Sequence, residues 1–192
     1  MQVDEAQQEL RRVYLGGLVG QSVTGMLWLA SSALSTWQSP KAGMLCLVLG
    51  GFGIYPATSL ILRLLGRPAA LGAGNPFRHL AIQVAFVLPL SMLLMVPVVL
   101  YRVDWFYPAM MVLVGAHYLP FATLYGMRSF LALAALLVAS GVVVAVYLPS
   151  RFSVGGWFSG VVLLAFAGIG FAESRLVAFP AGRAAVAPQR LK

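Results

Sequence analysis

Six long runs of apolar residues divide the chain, and most charges fall between them. The runs cover about residues 13–36, 42–65, 80–101, 106–126, 129–148 and 154–172. A helix rises about 1.5 Å per residue, so each run can cross about 30 Å of hydrocarbon. Strands do not fit. A membrane barrel strand alternates apolar and polar positions, whereas residues 131–138 are apolar on both parities. Without water to satisfy the backbone, such runs must be helices. The pattern predicts an all-α membrane protein: one polytopic domain, a six-transmembrane-helix bundle with short loops.

Composition agrees with the pattern. Hydrophobic residues make up 60% of the chain and charged residues 9%. A soluble domain carries about 25% charge, so lipid must be the solvent for most of this surface. The formal charge of +8 does not point to nucleic acid. The basic residues punctuate the apolar runs, as topogenic charges do.

Those charges predict orientation. With six spans, one side would hold Arg11, Arg12, Arg63, Arg67, Arg78, Arg128, Arg175, Arg183, Arg190 and Lys192, and the other only Lys41, Arg102 and Arg151. The positive-inside rule then puts both termini in the cytoplasm. The expected location is a cell membrane, specifically the bacterial inner membrane. Trp37, Tyr101, Trp105, Tyr107, Tyr147 and Trp157 flank the opposite loops and read as an aromatic belt. Residues 1–9 are acidic and polar, unlike the basic start of a secretory signal. The loop 66–78 is rich in glycine and proline and predicts no helix.

Candidate chemistry is sparse. His117 sits in the fourth run, about 16 Å from its start, with Tyr118 beside it. An ionisable group at that depth is a functional candidate, and a histidine can move protons near neutral pH. Gln21 and Gln83 must satisfy amides in lipid and are expected to point inward. His117, Gln21, Gln83 and Tyr118 therefore form a candidate polar cavity; interhelical bonding is the structural alternative for each. Pro56, Pro89, Pro97 and Pro120 are candidate hinges, or static kinks, because each removes a backbone donor. Thr58 and Ser59 are expected to bond carbonyls of their own helix. Glu173, beside Arg175, is a candidate carboxylate at the end of the last span. Gly16 with Gly20, and Gly156 with Gly160, have helix-packing spacing.

Cys46 stands alone, so no intramolecular disulfide can form. No nucleophile elbow, zinc motif or phosphate loop is present. The sequence thus predicts no catalytic residues, cofactor or metal. Three functions remain: a small transporter or channel-like protein for a neutral, weakly polar or proton-coupled solute; a non-catalytic assembly, sensor or structural subunit; and an intramembrane lipid-modifying enzyme. The expected partners are the lipid bilayer and either a second copy of the chain or another membrane protein.

Overall fold

The first apolar run does not begin as a span. The computed structural model describes residues 1–67, 71–148 and 150–178, with side chains to residue 172. Within them, α1 (Val3–Tyr14) is a separate helix that precedes the first crossing helix, α2 (Leu18–Trp37). Between them Leu15, Gly16 and Gly17 take positive φ angles of 50°, 63° and 79°. Three successive left-handed residues end a right-handed helix outright, and glycine tolerates that region best. The crossing therefore starts at Leu18, five residues later than the apolar run suggests. Residues 1–9, acidic and polar in sequence, belong mostly to α1. Its buried residues Ala6, Leu10 and Val13 recur at helical spacing, while Asp4, Glu5, Gln8 and Arg12 are exposed.

Five further spans follow: α3 (Pro40–Leu64), the pair α4 (Arg78–Ser91) and α5 (Met95–Tyr101), α6 (Phe106–Tyr125), α7 (Ser129–Tyr147) and α8 (Val154–Ala178). No strand occurs among the described residues. The six apolar stretches are each long enough to cross a membrane, so the predicted six-helix membrane bundle is present. The helix boundaries have local causes. α3 starts where the Ser39 hydroxyl accepts from the Ala42 N–H at 3.2 Å, with Pro40 in the first turn. α6 ends at Gly126, in the left-handed region at φ 63°.

α2 lies at the centre, packed against α3 on one side and α8 on the other. α6 packs along α7, and α4 and α5 lean on α6. Apolar attraction between helices is weak in lipid, so close fit matters. A methyl group on Gly43 of α3 would overlap Ser35 Oγ and approach the Ser31 carbonyl oxygen to 2.6 Å. On α8, a methyl on Gly156 would overlap Ser32, and one on Gly160 would meet Leu29. The Gly156 and Gly160 spacing therefore serves α2 of the same chain. Gly16 instead belongs to the break before α2. Only 11% of the most apolar window is buried in each of α3 and the α4–α5 span, against 39% in α8. Those two spans are the lipid-facing flanks.

The ends of the bundle differ in character. At one end Arg11 donates to the Tyr125 carbonyl, and Arg67 donates to the Arg12 carbonyl at 3.3 Å. This basic end gathers α1, the C-termini of α3 and α6, and the N-termini of α4 and α7. The other end exposes Trp37, Tyr101, Trp105 and Tyr147. There Trp157 stacks edge-on against Trp37 and donates to Thr36 Oγ1 at 3.1 Å. Tyr107 departs from the expected belt. It is fully buried, because its hydroxyl finds partners inside the bundle. Arg183, Arg190 and Lys192 lie outside the described residues.

The α2–α3 contact makes a sharp prediction. Gly43→Ala should destabilise the detergent-solubilised protein by about 1–3 kcal/mol, the usual range for overpacking. Gly51→Ala, where a methyl would meet nothing within 4 Å, should be neutral or slightly stabilising. Thermal unfolding followed by circular dichroism would compare them, and equal melting points would contradict the packing described.

Candidate functional site

The residues picked from sequence occupy different places. Gln21 is buried, and its amide donates to the Leu163 carbonyl of α8 at 3.2 Å. Tyr118 is also buried; it stacks on Phe130 at 5.9 Å, with the Thr24 side chain as its polar neighbour. His117, on the same helix, is half-buried against Phe121 at 5.1 Å, and its Nδ1 has no hydrogen-bond partner. Gln83 is exposed on α4 rather than turned inward. Gln21 borders a void of about 60 Å³ with Phe130, Leu133 and Phe166. None of the other three candidates lines that void.

The prolines also differ. Pro56 and Pro120 lie inside continuous helices. Pro89 lies within α4, and Pro97 lies in the first turn of α5. Between them the α-helix gives way to a 3₁₀ turn, Met92–Leu94. Pro97 cannot donate to the Leu93 carbonyl, so α-helical pairing fails at that turn, while Pro89 leaves the Ala85 carbonyl without its donor earlier in α4. The side chains of Glu173 and Arg175 lie outside the described residues.

Hydroxyl groups, little weighted in the sequence, hold the bundle centre. The Tyr107 hydroxyl lies 2.6 Å from Ser31 Oγ and 2.8 Å from Ser35 Oγ. Ser31 also donates to the Gly43 carbonyl at 2.8 Å. Tyr107 thus ties α6 to α2, and Ser31 ties α2 to α3. The knot is buried and internally paired, with no base or carboxylate within it.

The basic end has a second polar assembly. Glu9 of α1 accepts from the Gly72 N–H at 2.7 Å and from the Asn75 amide at 2.8 Å. Asn75 also donates to the Ala6 carbonyl, and Gln7 donates to the Thr123 carbonyl at 2.7 Å. α1 is thereby docked on the loop before α4 and on the end of α6. The two amide donors hold the Glu9 carboxyl below its ordinary value of 4.5, the Gly72 N–H contributing most.

The larger cavity lies beside the α1–α2 break. It has a volume of about 350 Å³ and opens between Tyr14 and α3. Tyr55, Ser59 and Arg63 line it at helical spacing along α3, with Pro56, Leu60 and Leu62 between them. Among the described residues, the side chains of Tyr14, Tyr55, Ser59 and Arg63 have no hydrogen-bond or ion-pair partner within the protein. Ser59 thus opens to the cavity instead of bonding its own helix. Thr58 turns the other way, its hydroxyl buried without a partner near Gly20. Four unengaged polar groups on an otherwise apolar, sideways-open surface make this the candidate site.

A family profile matches residues 3–173 of this chain, described as a family of unknown function. The chain belongs to DUF7010. No curated protein and no solved structure matches it. The DUF7010 match begins at Val3, the first residue of α1, so the docked helix belongs to the family's unit along with all six spans.

Two predictions follow from these geometries. A depressed carboxylate supports the docked α1 above the ordinary glutamate range and ceases to do so as pH falls through its lowered value. Amide exchange in α1, corrected for its intrinsic pH dependence, should therefore quicken in acid. Glu9→Gln should quicken it already at neutral pH. Exchange indifferent to both changes would remove Glu9 as the anchor. His117→Leu, which deletes an unpaired buried nitrogen, should leave the melting temperature unchanged or slightly raised. A marked fall would mean the ring is held by a partner.

Proposed function

We propose that this DUF7010 protein is a small transporter-like membrane protein that admits a weakly polar or amphiphilic solute from the side. The observation that carries this reading is the 350 Å³ cavity with four unengaged polar side chains at the basic end. Ligand sites are usually concave and mostly apolar, with a few convergent polar groups. Both walls can yield. One hinges at Leu15–Gly17, and the other contains Pro56, which leaves the Phe52 carbonyl without its helical donor. The basic end is read as cytoplasmic, which puts both termini there and suits a bacterial inner membrane.

A proton path through His117 is the less supported form of transport. His117, Gln21 and Gln83 do not share a cavity, and the centre between α2 and α6 is filled by Trp28, Tyr107 and their hydroxyl partners. That filled centre favours a second reading, a structural or sensor subunit, in which α3 and the α4–α5 span would meet a partner. A lipid-modifying reaction has less support still, because the cavity holds no histidine or carboxylate.

The test is translocation of a fluorescent short-chain amphiphile across proteoliposomes, read by external dithionite quenching. The wild type should exceed protein-free vesicles clearly. Ser59→Leu, which removes polarity and fills space, should cut the rate several-fold, while His117→Leu should leave it intact. A folded wild type no faster than empty vesicles would remove the transport reading and leave the subunit reading.

A further inference from the structure

The cavity has a direction. Tyr55 and Arg63 are eight residues apart on α3, about 12 Å along its axis. Arg63 stands in the last helical turn, at the depth where lipid headgroups begin, and it is exposed and unpaired among the described residues. Away from Arg63 the surface becomes apolar. Leu60, Phe52, Leu49 and Leu45 are exposed along α3, and a methyl on Gly51 or Gly53 would meet nothing within 4 Å. A charged, hydroxyl-lined mouth thus runs into an apolar track open to the bilayer.

We infer that this groove holds one anionic phospholipid of the surrounding leaflet, its phosphate against Arg63, its glycerol region beside the Ser59 and Tyr55 hydroxyls and its acyl chain along α3. Charge complementarity selects this occupant. The mouth offers a guanidinium, two phenols and a serine hydroxyl, and no carboxylate lines it. Guanidinium is suited to phosphate through paired N–H donors. The open track fits a chain that stays partly in the bilayer, which a free anion would leave unused. The inference rests on the reading of this groove as an occupied site, but not on transport through it.

The experiment is native mass spectrometry of the intact protein released from nanodiscs containing equal phosphatidylglycerol and phosphatidylcholine. The wild type should retain one phosphatidylglycerol in preference to phosphatidylcholine. Arg63→Gln should reduce that preference about five-fold, as expected for one arginine at an anionic surface. Arg128→Gln, at the same end but outside the groove, should leave it unchanged. An equal fall in both variants would reduce the effect to general attraction by the basic end and overturn the site. Displacement by millimolar inorganic phosphate would overturn the lipid assignment in favour of a free anion. If Arg63→Gln loses lipid preference only in binding while neutral amphiphiles still cross, the inference stands and lipid selectivity is separate from transport. If the preference is unchanged in Arg63→Gln while translocation is robust, the inference falls and the transport reading survives.

Discussion

The rest of the structure depends on how closely α2 is allowed to approach its neighbours. In water, two apolar helices would be driven together; in lipid they gain little by trading lipid tails for each other. Contact must then come from shape and from hydrogen bonds. Gly43 and Gly156 supply the shape by removing side chains where α3 and α8 meet α2. Ser31, Ser35 and Tyr107 supply the bonds. The two devices require each other. Ser31 reaches the Gly43 carbonyl only because the glycine lets the helices close, and the buried hydroxyls would be costly if the helices stood apart. With that junction fixed, α6 is held through Tyr107, and α7 follows α6.

The outer spans are under no such restraint. α3 is attached along one face and the α4–α5 span mainly through α6. This leaves surface beside α2 and α3 that the bundle does not use. At the basic end the chain's break at Leu15–Gly17 turns α1 away from α2, and the space so opened is the cavity. The cavity is thus a by-product of the local backbone: a straight helix through residues 15–17 would carry α1 elsewhere.

Much of this was legible in the sequence, and the rest was hidden for identifiable reasons. Hydropathy runs alone predicted the six spans, because lipid imposes one length and one chemistry on each. The break before α2 could have been suspected from Gly16-Gly17, and α1 from the spacing of Ala6, Leu10 and Val13. The acidic residues among them made the segment look like a solvated lead-in. Inside the spans, direction was the hidden variable. Gln83 and Tyr107 lie near the ends of long apolar runs with apolar residues on most faces, so periodicity cannot say which way they turn. Gln83 was expected inward and is exposed; Tyr107 was expected at the surface and is buried. Tyr55, Ser59 and Arg63 carried a readable signal, a polar stripe at four-residue spacing in an apolar helix. Arg63 was absorbed by the topology argument, and the stripe went unnoticed.

The docking of α1 also has a consequence in time. Its hydrogen-bond partners are far along the chain: Gly72 and Asn75 lie 63 and 66 residues beyond Glu9, and the Thr123 carbonyl lies 116 residues beyond Gln7. During synthesis α1 therefore emerges before any of these partners. Its contacts with Gly72 and Asn75 can form once α2 and α3 are made, and that of Gln7 only once α6 is made. The left-handed break at Leu15–Gly17 separates the two helices, so α2 can enter the bilayer without carrying α1 with it. α1 is thus made before α2 to α6 yet completes its docking at the basic end only when α6 is in place.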